Sequence, residues 1–415
     1  MATSRSRVRR RRVGALVVLV LVAVVAAGAF RVLQPLPELS MKPTGRLVAH
    51  TAGRTPALPW PSQGQSALVV LGAGTAGIHG SAGSIPIGSV AKVATALVVL
   101  HDHPLTGNAP GPTLTVSPAD EREYAAALGT GDSMVPVVAG ERITERQALE
   151  ALMVPSADNI ADLLARWDAG NTAKFVAKLN RLAIQLGARQ THYADASGLS
   201  SATTSTAVDQ IRLGERALKE PALAAIMSER SATLPVAGRV TNYNGLLGAD
   251  GVVGIKTGST TAAGGNLLFA AQTQVGGHPV TVVGAVFGQA VGMPPLSALT
   301  VAINSSRVLL RSAVAALRPS LVVPAGQPVS SGITAWGGSA TARTTSPITV
   351  LAFPGQALRV SASGCRLGAP VAAGTPCGRV MVAWGDALSG TSSAVTGVNV
   401  DRGVAEPTLR WRLFR

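Results

Sequence analysis

Ser89 and Lys92 stand three residues apart in Gly88-Ser89-Val90-Ala91-Lys92, which puts them on one face of a helix, one above the other. A serine hydroxyl is a weak nucleophile until a base takes its proton, and a neutral lysine one turn away can take it. The residues that follow, Val93 to Leu100, are apolar nearly all round. Such a helix belongs in a core, where burial disfavours the charged form of lysine. The same pattern also suits an ordinary core helix, with Ser89 as a cap and Lys92 reaching for solvent. Two more polar stretches follow in chain order: Ser156-Ala157-Asp158-Asn159 directly after Pro155, and Lys256-Thr257-Gly258 after the apolar Val252-Val253-Gly254-Ile255. Lysine and threonine at a strand end can hold a carboxylate by charge and hydrogen bond, and a glycine lets an extended chain lie close to the edge.

The elements around these stretches are legible. Ala67–Leu71 reads as a buried strand, and Gly72–Gly83 as a glycine-rich turn into a second. Residues 104–145 form a loop-rich excursion with short strands, including Leu114–Val116. Ile143–Arg166 is helical by periodicity but broken at Pro155, with Ser156 and Asp158 as caps for a helix over Ile160–Trp167. Phe175–Leu186 is an amphipathic helix ending at Gly187. Val252–Gly258, Asn266–Ala271 and Val280–Phe287 read as an antiparallel meander turning at Gly276-Gly277, followed by a long helix over Leu296–Leu317. Beyond Pro319 only short apolar runs punctuated by Gly and Pro remain, as in a small all-β domain.

The N-terminus fixes the compartment. Arg5, Arg7 and Arg9–Arg12 precede an uncharged run, Val13–Phe30, which as a helix would span about 27 Å, close to a bilayer's hydrocarbon core. A basic flank before an apolar run leaves the N-terminus in the cytoplasm and exports the rest. The run is long for a signal-peptide core, although Ala27-Gly28-Ala29 offers a cleavage site. Residues 1–30 are therefore read as a basic stub and anchor or signal, 31–65 as a Pro-rich linker, 66–320 as the main domain and 321–415 as the β-rich one. Cys365 and Cys377 are too widely spaced for a C-x-x-C redox pair, and export makes a disulfide between them the expected state. The net charge of +15 favours anionic surfaces. With 3% aromatics and no basic stripe interleaved with them, nucleic acid is excluded as a partner. His101 and His103 close a helix without further ligands nearby, so no metal site is read there. His192, Asp195 and Ser197 crowd into one short stretch without a nucleophile elbow and do not read as a hydrolase triad.

Taken together, Ser89/Lys92, Ser156/Asp158/Asn159 and Lys256-Thr257-Gly258 resemble the S-x-x-K, S-x-N and K-T-G motifs of the penicillin-recognising serine D,D-peptidase and β-lactamase superfamily. The resemblance is nearest to the low-molecular-weight D-alanyl-D-alanine carboxypeptidases and covers about residues 66–320. Pro86–Ser89, Thr191–Leu199 and Asp250–Gly258 extend it. It implies an α+β fold, a β-lactamase/transpeptidase-like domain with an antiparallel sheet and flanking helices, followed by the small C-terminal all-β domain. It implies Ser89 as nucleophile, Lys92 as base and Ser156 as a third catalytic residue, with no cofactor. Backbone N–H groups of Ser89 and Ser259 would form the oxyanion hole, and Asp158, Asn159, Lys256, Thr257, Gly258 and Ser259 would bind substrate. The implied partners are peptidoglycan stem peptides, β-lactams as acylating inhibitors and the membrane, at the extracytoplasmic face of a bacterial cell. One position departs from the pattern: Asp158 stands where S-x-N has Asn, with Asn159 one further on. Ionised Asp accepts hydrogen bonds but donates none. Three arrangements stay open: Asn159 shifts into the site, Asp158 serves in its place, or turnover is weak. The alternatives are accordingly a penicillin-binding or wall-binding protein of low activity, or a β-lactamase or esterase on the same fold.

Overall fold

The computed structural model describes residues 2–44 and 50–415. Residues 45–49 of the expected linker, and Met1, lie outside the described residues. A helix over Ala2–Leu33 carries the apolar run; Arg7–Leu33 has the length and composition to cross a membrane, with a mean hydropathy of 2.9 in its most apolar window.

The centre of the main body is an antiparallel sheet in the order Val252–Thr260, Gly264–Val275, His278–Gln289, Gln65–Val70, Gly74–Gly80. Period-2 alternation sends its side chains into two separate cores. Leu268, Ala270, Val283, Ala285, Ala67 and Val69 face one core, against the helix Lys92–Asp102 and its helical neighbours. Leu267, Phe269, Val282, Val286, Leu68 and Val70 face the other, under the helix Pro295–Ala316. Both faces are covered, so these strands read as continuous apolar runs. Val93 to Leu100 are all buried because the helix that bears them is covered on every side.

A second sheet runs Arg359–Ala362, Pro376–Asp386, Gly390–Arg402, Ser339–Thr344, Pro328–Ile333, Leu39–Pro43, Cys365–Leu367. The sixth of these strands comes from the stretch expected to be a linker. Leu39 and Met41 point into the core of this sheet at 1% and 2% exposure while Ser40 and Lys42 face outward, a strand alternation that the flanking prolines mask in the sequence. The Cys365–Cys377 disulfide is formed. After the last strand of this region Leu409–Phe414 forms a short helix against the N-terminal one, with Arg412 Nη1 donating to Val32 O at 2.9 Å and Trp411 packed edge-on to Trp336. A helix over Pro118–Ala126 was also not expected. Its capping box, Ser117 with Asp120, is readable, but it buries no apolar stripe that periodicity could detect.

The hairpin tip at Asp386–Gly390 ties the two sheets together. Thr75 N and Oγ1 each donate to the Asp386 carboxylate at 3.0 Å, and Gly72 N donates to Ser389 O at 2.8 Å. Burial pushes the Asp386 carboxyl up, but these bonds and those from the Leu388 and Ser389 N–H groups outweigh it and hold it below its ordinary 3.8. A depressed carboxylate stabilises the fold above the unfolded-state value and loses that contribution as pH falls through the folded one. Asp386→Ala is therefore expected to weaken the junction by about 1–2 kcal/mol at neutral pH, allowing for its half-exposed position. Limited proteolysis at pH 7 should cleave the variant faster, and the difference should shrink as pH falls below the ordinary carboxylate value of 3.8 and through the lower folded-state one.

Candidate active site

Ser89 lies in a single 3₁₀ turn, Gly88–Ala91, that leads into the helix Lys92–Asp102. It is wedged between two other backbones, and glycine permits both contacts. A Cβ on Gly258 would meet Ile87 O at 2.6 Å and Ser89 N at 2.8 Å. A Cβ on Gly198, which has φ +82°, would meet Gly88 O at 2.0 Å. The strand Val252–Thr260 and the Gly198 loop thus fix Ser89 from both sides. The Gly198 loop is itself held by Asp195, which accepts from Ser197 Oγ, Gly198 N, Ser200 N and Thr203 Oγ1. Asp195 and Ser197 therefore shape the turn, while His192 pairs through its backbone with Thr204.

Lys92 is fully buried, and its Nζ lies 2.8 Å from Ser89 Oγ, 3.4 Å from Ser156 Oγ and 2.5 Å from Asp158 Oδ1. Lys256, 2% exposed, reaches Ser156 Oγ at 2.9 Å and donates to Thr257 O at 3.0 Å. Ser156 therefore stands between two buried lysines. It does so from the left-handed region, φ 65°, a conformation that costs a non-glycine residue about 1–2 kcal/mol. Its backbone is fixed from beyond, with Ala157 N donating to Ala151 O at 3.0 Å and Asp158 N to Ser133 O at 2.6 Å.

Ser156 and Asp158, expected to cap a helix, do not. The helix Asp158–Ala169 starts after Ala157 without a side-chain cap, because both side chains face Lys92 instead. Asp158 Oδ2 accepts from Ser133 N at 3.1 Å, so the carboxylate ties the lysine to the loop across the cleft. Asn159 is not in the cleft. Its amide closes a two-way bond with Val135, accepting from N at 3.2 Å and donating to O at 2.9 Å, which uses up the group that a shift into the site would need. His101 and His103 sit at the far end of the helix that Lys92 opens, where His103 packs on Trp167 and lies 3.4 Å from Asp168.

Burial drives the Lys256 amine well below its ordinary 10.5, and the neighbouring Lys92 ammonium drives it further, against the opposing pull of Asp158. Above these groups opens a cleft of about 230 Å³ lined by Ser89, Ser156, Thr257, Gly258 and Ser259 on its floor. Asp132, Ser133 and Met134 form one rim, with Tyr243, Pro295, Leu296 and Leu299 around the rest. This rim had no signal in the sequence, since no motif marks it and its members are brought together only by the fold.

Residues 80–289 match the family model described as D-alanyl-D-alanine carboxypeptidase. This chain belongs to that family. It is 31% identical over 216 residues to the D-alanyl-D-alanine carboxypeptidase of Streptomyces sp. strain K15, an alignment covering 48% of this chain and 71% of that one. It is 33% identical over 185 residues to the D-alanyl-D-alanine carboxypeptidase DacB2 of Mycobacterium tuberculosis, covering 43% and 59%. Among solved structures, the Streptomyces K15 DD-transpeptidase superposes with a TM-score of 0.52 at 25% identity, covering 66% of this chain and 99% of that one. Penicillin binding protein 5 from Haemophilus influenzae superposes with a TM-score of 0.56 at 22% identity, covering 86% and 100%, a likeness of fold. The fold is the α+β arrangement of the DD-peptidases, with an antiparallel sheet and flanking helices followed by a strand-rich C-terminal region.

Proposed function

We propose that this chain is a membrane-anchored serine D,D-carboxypeptidase that removes the terminal D-alanine of peptidoglycan stem peptides through an acyl-enzyme on Ser89. The observation that carries the reading is the buried chain Ser89–Lys92–Ser156–Lys256 at the base of an open cleft in a member of this family. Ser89 Oγ attacks the carbonyl of the penultimate D-alanine while its proton passes to Lys92 Nζ. Lys92 must first hand on a proton of its own. Ser156 Oγ, which reaches Lys92 Nζ and lines the open cleft, provides the route. The same relay returns a proton to the leaving amine. On this reading the Ser89 and Ser259 N–H groups, whose backbones approach each other at Gly88 and Gly258, would donate to the developing oxyanion, supported by the positive end of the Lys92–Asp102 helix. Water then cleaves the ester. A β-lactam would enter by the same attack and remain as a slowly hydrolysed ester.

The apolar Ala2–Leu33 helix with its arginine flank supports an anchor that leaves the body on the extracytoplasmic face, with the β-rich domain from about residue 321 and its borrowed strand Leu39–Pro43 positioning residues 66–320 above the bilayer. The test is D-alanine release from a purified pentapeptide ending in D-Ala-D-Ala. Release that is lost in Ser89→Ala supports the reading; release unchanged in Ser89→Ala, or rapid β-lactam hydrolysis without it, overturns it.

The 2.5 Å Lys92–Asp158 contact favours a second reading, in which acylation occurs and turnover is slow. A carboxylate against the amine competes with Ser89 for its N–H groups and stabilises the pair before the attack. On this reading Asp158→Asn raises D-alanine release about tenfold or more, a difference of about 1.4 kcal/mol in the barrier. An unchanged or lower rate removes it.

A further inference from the structure

The cleft is bipolar. At its floor Thr257 offers a hydroxyl with the Lys256 amine buried beside it, bonded to Ser156 Oγ, and on its rim Asp132 offers a carboxylate. Asp158 and Asp132 are both near the nucleophile, yet they differ in what they have left to offer. Asp158 is buried and engaged on both oxygens, by Lys92 and by Ser133 N. Asp132 is half-buried, and its Oδ2 accepts from Thr130 Oγ1 at 2.7 Å, which orients the group. Among the described residues its Oδ1 takes no hydrogen bond. Around the same cleft stands Tyr243, 44% exposed, a ring whose face can receive a cation. In a chain of net charge +15, a free carboxylate at this position is a local exception and presents a specific point of attraction for an amine.

We infer that Asp132 is a specificity-determining residue, selecting peptides that carry a free side-chain amine just before the D-Ala-D-Ala terminus. The inference rests on the D,D-carboxypeptidase reading and deepens it. A substrate with a carboxylate at its end and an ammonium a few bonds upstream is a dipole that matches the cleft: carboxylate to Lys256 and Thr257, ammonium to Asp132. The attraction acts at the rim, in contact with solvent, so salt screens it. Hydrolysis itself follows the same bonds made and broken at Ser89; Asp132 touches only the side chain of the substrate.

The experiment compares two peptides, Nα-acetyl-L-Lys-D-Ala-D-Ala, with a free ε-amine, and Nα,Nε-diacetyl-L-Lys-D-Ala-D-Ala, without it. The ratio of their kcat/KM values is the readout. The intact protein is expected to prefer the free amine about fivefold at low salt, from an ion pair worth about 1 kcal/mol, and the preference should shrink in high salt. Asp132→Asn should bring the ratio near one, and Asp132→Lys should invert it. A structural role for Asp132 through Thr130 would lower both rates together and leave the ratio intact. Equal rates on the two peptides, or a ratio preserved in Asp132→Asn, overturn the inference alone. Release from neither peptide overturns it together with the carboxypeptidase reading.

Discussion

Replacing Lys92 with alanine is expected to slow acylation of Ser89 by about 10²–10⁴-fold, the range over which a positioned general base acts. The same change should also destabilise the fold, by about 3–5 kcal/mol, because it leaves Asp158 as a buried carboxylate without its cation. A loss of activity on its own would then be ambiguous. Asp158→Asn in the Lys92→Ala background separates the two effects: it removes the stranded charge but supplies no base. Stability should recover in the double variant while acylation stays lost. Thermal melting measured beside the rate of penicillin labelling reads both quantities. If acylation recovers together with stability, Lys92 serves only to neutralise Asp158, and the chemistry assigned to it is wrong.

The second large effect is expected at Lys256. Lys256→Ala should lower kcat/KM for peptides with a free terminal carboxylate by about 2 kcal/mol, roughly thirtyfold, the scale of a hydrogen bond to a charged group. A peptide with a C-terminal amide should be affected less, since it offers no charge to hold. The pH dependence follows from the sign of the shift. Lys256 titrates well below 10.5, so its charge is present at low pH and lost as pH rises through that lowered value. KM for the carboxylate peptide should therefore rise with pH over a window below lysine's ordinary range, while the KM of the amide stays flat. Proton uptake on substrate binding, measured by calorimetry in buffers of different ionisation enthalpy, reports the same linkage. Parallel pH profiles for the two peptides would remove Lys256 from carboxylate recognition.

Much of this architecture is legible in the sequence, for physical reasons that differ by element. The central strands could be read because both faces of the sheet are covered, which makes Val280–Phe287 and Ala67–Leu71 nearly continuous apolar runs. The contact between Ser89 and Lys92 could be read because a spacing of three is a statement about one helix face. What could not be read depends on partners remote in sequence. Leu39 and Met41 form a strand only because Pro328–Ile333 and Cys365–Leu367 supply its two edges, more than 280 residues away. Ser156 and Asp158 have the side chains of helix caps, and local propensity cannot tell that Lys92 claims both. Asn159 carries the amide the motif calls for, one position late, and only the Val135 backbone decides that it faces away from the cleft. Asp132 has no motif at all. Its proximity to Ser89 is a property of the folded loop between Ala126 and Arg142.

The central claim is that Ser89 becomes covalently acylated, with Lys92 as the group that takes its proton. The most direct measurement is the mass of the intact protein after incubation with benzylpenicillin, followed by peptide mapping of the adduct. A single addition of the whole penicillin mass, located on Ser89 and absent in Ser89→Ala, is the predicted result. An adduct on Ser156 or any other residue, or an unmodified protein after prolonged incubation, would contradict it.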